Sequence, residues 1–193
     1  MVYIDDDIES IDLSVALNSV SPQRRAQVLR YRQEHDRKLS LAAYILLCHA
    51  LRTEYGIAEP PVFTFDANGK PRLKGHSNIY FSLSHCHEAA ACVVDRAPVG
   101  IDVESLSHYD PAIAERVMSD DEQRQIALSA DPRRTFIRLW TMKESLLKMT
   151  GDGINNDLRH ILQDHKGLKE GDYDFRTTEY RDFICTVCSL AAH

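Results

Sequence analysis

Residues 99–105 read Val-Gly-Ile-Asp-Val-Glu-Ser, an apolar stretch that closes on two carboxylates. On a strand, Asp102 and Glu104 stand two residues apart and point to one face. Working outward, further strands are expected at Val62–Phe65, Ile79–Leu83 and Ala89–Val94 upstream, and near Tyr173–Tyr180 and Phe183–Leu190 downstream. Between Phe65 and Ile79, Asn68-Gly69 is a hairpin-type turn signal. Two helical blocks flank these strands. The first opens at Ser21-Pro22, an N-cap and first-turn proline, and runs to Tyr55 with a bend near His35 and a stop at Gly56. The second opens at the capping-box spacing Ser119-x-x-Glu122; after Asp131-Pro132 its next helix continues to Thr150, stopping at Gly151. Helix then strands, followed by helices then strands, predicts an α+β fold rather than a parallel βαβ sheet.

The chain has 193 residues, 44% hydrophobic and 27% charged, which suits one large or two small soluble units. No repeat is visible in the residues, and any boundary between halves falls tightly at Asp95–Pro98. The net charge of −6 argues against nucleic acid as a partner. Cations nevertheless gather between Pro22 and Lys38 (Arg24, Arg25, Arg30, Arg32, Arg37, Lys38), where they would form a solvated helix face or meet an acidic partner. Five cysteines without framework spacing suggest a reducing cytosol. Cys185-x-x-Cys188 has no second pair to complete a zinc site. The start of the chain lacks a signal peptide's regions, and the apolar stretch Leu41–Leu51 is too short to span a bilayer, so a cytoplasmic protein with no membrane partner is expected.

The chemistry lies in a few side chains. Trp140, Glu144 and Lys148 follow one another at four-residue spacing on the second long helix. Alone, Glu144 and Lys148 are an intrahelical ion pair. With Asp102 and Glu104, two acids from a strand and one from a helix make an oxygen cage for a hard cation such as Mg2+, and the lysine suits a reaction in which phosphate charge moves. Ser84 and His85 end a strand with groups able to hydrogen-bond a phosphate oxygen.

Gly69-Lys70-Pro71, Ser84-His85, Gly100-Ile101-Asp102-Val103-Glu104 and Trp140-x-x-Lys143-Glu144-Ser145-x-x-Lys148 occur in this order. Together, over about Ser21 to Ile154, they resemble the 4′-phosphopantetheinyl transferase superfamily, specifically its larger, surfactin-synthetase-activating type. That resemblance implies a monomer of two similar halves, 1–97 and 98–193, related by pseudo-two-fold symmetry, each a small, mainly antiparallel sheet on a long helix, with the active site between them. It implies transfer of phosphopantetheine from coenzyme A to a serine of an apo acyl or peptidyl carrier protein, releasing adenosine 3′,5′-bisphosphate. Asp102, Glu104 and Glu144 would hold Mg2+. Glu144 would take or position the serine proton, and Lys148 would neutralise charge at the diphosphate. Ser84 and His85 would contact coenzyme A phosphates, Lys70-Pro71 would border the adenine, and the carrier's acidic helix would meet the basic helix Pro22–Lys38.

Two positions depart from the family pattern. Leu39 stands where an arginine often contacts the 3′-phosphate, leaving Arg24 and Lys38 as candidates. Met118 fills an aromatic slot before Ser119-x-x-Glu122, whose capping role suffices. A non-catalytic coenzyme A or carrier-binding module is the alternative. A metal-dependent nuclease fits less well, because it would want its second acid and lysine two residues apart on a strand.

Overall fold

The computed structural model describes residues 1–153, 158–165, 168–169 and 171–191; Ile154, where the resemblance ends, lies outside them. In chain order the elements are β1 (Val2–Asp5), α1 (Leu13–Asn18), α2 (Pro22–Val28), α3 (Glu34–Tyr55), β2 (Phe63–Phe65), β3 (Pro71–Leu73), β4 (Tyr80–His85), β5 (Ala90–Asp95), β6 (Val99–Ser105), α4 (Pro111–Val117), α5 (Asp120–Leu128), α6 (Pro132–Thr150), β7 (Asp164–His165), β8 (Leu168–Lys169), β9 (Tyr173–Glu179) and β10 (Phe183–Leu190). The fold is α+β. Two three-stranded antiparallel sheets, ordered β1-β5-β4 and β6-β10-β9, carry the core, and β2-β3 and β7-β8 are small hairpins. Each sheet consists of one strand, then a long helix, then two strands that complete it. The same order of elements therefore occurs twice, although the residues show no repeat, because burial constrains the pattern of side chains and not their identity.

Local signals explain most element ends. Ser21 caps α2 through Arg24 N, and Asp131 caps α6 through Arg134 N, each followed by proline. The capping box at Ser119 and Glu122 is formed. Gly56 and Gly151, at φ 69° and 84°, end α3 and α6 in the left-handed region that glycine adopts without steric penalty. The helical block expected from Ser21 to Tyr55 with a bend near His35 is two separate helices. Residues 29–33 separate them, so the cations of Pro22–Lys38 are spread over α2, a turn and the start of α3 rather than along one helix. The Asn68-Gly69 turn joins β2 to the three-residue β3 and not to Ile79–Leu83.

Strand alternation sets the core. Val99, Ile101 and Val103 of β6 pack with Ala91 and Val93 of β5 and Cys185 of β10, filling the space between the two sheets. Leu47 and Leu51 of α3 pack on Phe81, Cys92 and Val94 of the first sheet. On α6, Phe136, Ile137 and Leu139 pack with Ile184 of β10, and Leu146 and Met149 with Cys188.

Candidate active site

The β6 face opposite Val99, Ile101 and Val103 looks toward α6. A Cβ built on Gly100 would collide with the Ser145 carbonyl oxygen and lie 2.5 Å from the Met149 amide, so glycine lets α6 sit directly on the strand. That close approach brings Lys148 to Asp102, with Nζ 2.7 Å from Oδ1. The sheets meet at the same place. Ser82 and Ser84, alternate residues of β4, accept at Oγ from the Ile101 and Val103 amides at 3.1 and 3.2 Å. Side-chain hydroxyls thus satisfy β6 amides that no strand pairs on that side.

Ser84 Oγ also donates to Asp102 Oδ1 at 2.9 Å and accepts from Lys148 Nζ at 2.9 Å. A hydroxyl has one proton and two lone pairs, and all three are used here. Asp102 is 5% exposed and Glu144 8%. Each keeps one buried oxygen without a hydrogen bond, Asp102 Oδ2 and Glu144 Oε1. Burial first, then the Asp102 carboxylate, pushes the Glu144 carboxyl up to about 7, against the pull of Lys148. Glu104 is also raised, chiefly by burial; its Oε1 accepts from the Ser105 amide and from His108 Nδ1, both at 2.8 Å.

Among the described residues, no three His, Cys, Asp or Glu side chains form a group that could hold a metal as they stand. The physical reason is visible at two of the three expected ligands. The Lys148 ammonium occupies Asp102 Oδ1, and His108 and Ser105 occupy Glu104 Oε1. The two unpartnered buried oxygens are nonetheless what a hard cation seeks, so the donor set fits Mg2+.

Beside this constellation lies a cavity of about 380 Å³. One wall is Asn68, Gly69, Lys70 and Pro71; Phe81, Ser82 and Leu83 of β4 and Glu144, Leu147 and Lys148 of α6 form the others. Pro71 thus lines the same cavity as Glu144 and Lys148. Lys70 lines the cavity, but its Nζ donates to the Lys148 and Met149 carbonyl oxygens. His85 is exposed; desolvation by the surrounding protein, then Lys148, holds its pKa below the usual imidazole value, with Arg24 adding to the effect.

The two candidates for a 3′-phosphate differ. Lys38 is buried and donates to the Glu9 carbonyl at 3.1 Å and to Glu9 Oε2 at 3.2 Å, so it ties α3 to the turn Ile8–Ser10. Arg24 lines a second hollow of about 400 Å³ with Gln27, Arg30, Tyr31 and Ser40. Its Nη2 donates to Ser40 Oγ at 2.7 Å, its guanidinium lies 4.9 Å from the Tyr44 ring centroid, and its Nε has no partner. Leu39 is buried in the core.

One polar group had no sequence assignment. Lys143, 0% exposed, donates to Glu122 Oε2 at 2.8 Å and to the Leu158 carbonyl at 2.6 Å, so Glu122 both caps α5 and anchors α6. The lysine beside Glu144 in the helix was the available signal, but only the fold shows that it points inward. The five cysteines are all free, and Cys185 and Cys188 are both buried.

Comparison with known proteins shows the family. Residues 98–188 match the model of the 4′-phosphopantetheinyl transferase superfamily. The 4′-phosphopantetheinyl transferase gsp of Aneurinibacillus migulanus is 30% identical over 201 residues, covering 98% of this chain and 84% of that one. The chain belongs to the 4′-phosphopantetheinyl transferase superfamily. Other members align over less of their length. The 4′-phosphopantetheinyl transferase psf-1 of Bacillus pumilus is 37% identical over 142 residues, 72% of this chain and 61% of that one. The 4′-phosphopantetheinyl transferase Sfp of Bacillus subtilis (strain 168) is 26% identical over 157 residues, 80% of this chain and 70% of that one. The matched family region contains β6 and α6, and with them every expected metal ligand and Lys148.

Proposed function

We infer that this chain is a phosphopantetheinyl transferase that moves 4′-phosphopantetheine from coenzyme A to a serine of an apo acyl or peptidyl carrier protein. The observation that carries this reading is the pairing of two orphaned buried carboxylate oxygens, on Asp102 and Glu144, with Lys148 at the edge of the cavity. In the reaction, the serine oxygen forms a bond to the phosphorus that bears the pantetheine arm. The bond from that phosphorus to the adenosine-side phosphate breaks, and adenosine 3′,5′-bisphosphate leaves. Glu144 takes the serine proton or positions the base that does, as the acid on α6 that lines the cavity. Lys148 places its charge against the diphosphate as negative charge shifts to the leaving group. Asp102, Glu104 and Glu144 are the residues that would hold Mg2+, whose charge would screen the diphosphate. For that, Glu104 must turn from His108, and Lys148 from Asp102 toward the phosphates.

Pro71 and the backbone of Gly69 and Lys70 border the adenine, His85 faces a phosphate, and Arg24 serves the 3′-phosphate. Ser84 acts through Asp102 and Lys148. The halves are 1–97 and 98–193, acting as a monomer in the cytoplasm, with the site where β4 meets β6 and α6. The carrier's acidic helix docks on the exposed cations Arg25, Arg30 and Arg32, which steer its approach. Chromatography tests this reading. Adenosine 3′,5′-bisphosphate should appear when coenzyme A, Mg2+ and apo carrier are all present, and not when any one is withheld. Binding of coenzyme A without that product would favour a binding module instead.

A further inference from the structure

The turn at residues 66–70 crosses to the C-terminal end of α6. Asp66 shapes it, accepting at Oδ1 from the amides of Asn68 at 3.1 Å and Lys70 at 2.8 Å. From this turn Asn68 Nδ2 donates to the Gly151 carbonyl at 3.0 Å. Lys70 Nζ donates to the carbonyl oxygens of Lys148 and of Met149, the latter at 2.9 Å. The last four carbonyls of an α-helix have no partner within it, and the helix dipole favours a cation there. Gly151 turns the chain away beneath the strap, where a Cβ would come within 3.1 Å of Lys70 Cδ.

The residue whose carbonyl Lys70 grips is the residue whose side chain reaches Asp102 and Ser84. The strap also joins two walls of the cavity, the hairpin and α6. An ammonium has three protons, and two of those on Lys70 are directed at carbonyls. We propose that Lys70 is a positioning residue, strapping the end of α6 so that the backbone from which the Lys148 side chain extends is fixed relative to β6 and the cavity, rather than a cation that binds the donor's phosphates. This rests on the transferase reading above and adds a specific role within it.

The test is a comparison of K70M, K70R and N68A in steady-state transfer, with hydrogen exchange of the amides at 147–151 measured without substrates. A strap predicts that K70M lowers kcat on the order of tenfold or more and leaves KM for coenzyme A within about twofold, because misplacement of a charge-stabilising group acts on the transition state. K70R, which keeps donors at the right end, restores most of kcat. N68A, which removes no charge, lowers kcat in the same direction. Exchange at 147–151 is faster in K70M and N68A than in wild type. The proposal is overturned if K70M raises KM for coenzyme A about tenfold with kcat unchanged, the signature of a lost ground-state contact. It is also overturned if N68A matches wild type in both kcat and exchange. Should K70M fail to fold, N68A decides. If wild-type protein transfers to no carrier, the transferase reading falls, and the exchange comparison alone supports or overturns the strap.

Discussion

Replacing Glu144 with glutamine should strengthen the fold at alkaline pH while removing the base. The side chain is 8% exposed, and burial, followed by the Asp102 carboxylate, lifts its carboxyl to about 7 from the usual 4.5. Between those values the folded chain holds a proton that the unfolded chain has released. Stability from this group is therefore lost as pH rises from about 4.5 to about 7. At about 1.4 kcal/mol per pH unit, that gap is worth about 3 kcal/mol at pH 8. Glutamine keeps the shape and carries no charge, so E144Q escapes the cost. At pH 8 without metal, E144Q should be about 3 kcal/mol more stable than wild type, a rise in Tm of about 6–12 °C for a chain of this size. At pH 5 the advantage should shrink below about 1 kcal/mol, because the folded wild type is then protonated. Urea denaturation followed by the single tryptophan, Trp140, at both pH values measures it. Equal stabilities at pH 8, or a gain at pH 5 as large as that at pH 8, would refute the reasoning.

Other substitutions probe the supports of the site. Gly100→Ala drives a methyl group into the α6 backbone and should cost about 1–3 kcal/mol in a denaturant midpoint while lowering transfer, since α6 must lift from β6. Ser84→Ala leaves the Val103 amide without its side-chain acceptor and removes one of the two donors to Asp102 Oδ1, the other being Lys148; chemical denaturation should show a loss of about 1–3 kcal/mol, with reduced kcat. Lys143→Met leaves the Glu122 carboxylate without its buried counter-charge, and calorimetry should show a loss of about 3–5 kcal/mol.

Much of this fold was legible because its elements carry local signals. Ser21-Pro22, Asp131-Pro132 and the Ser119–Glu122 box mark helix starts, Gly56 and Gly151 mark stops, and Phe183–Leu190 is a strand with the bounds its apolar pattern suggests. A bend near His35 was legible, but not a full break at residues 29–33, since no proline or glycine lies there and the tertiary fold decides it. Strand β1 escaped notice because four half-buried residues at an acidic terminus carry little periodicity; pairing with β5 makes them a strand. At the site, the spacing of Asp102, Glu144 and Lys148 on a strand and a helix could be read in advance. What Lys38, Lys70 and Ser84 touch could not, because each finds its partner across the fold, in Glu9, in the end of α6 and in Asp102. A sequence shows that a cation is present, but not which oxygen reaches it first.

The most direct test of a transferase built on these residues is the intact mass of an apo carrier protein after incubation with the chain, coenzyme A and Mg2+. The carrier should gain one phosphopantetheine, and a carrier whose acceptor serine is alanine should gain nothing. An unchanged mass across fatty-acid, polyketide and peptidyl carriers would contradict the proposed function.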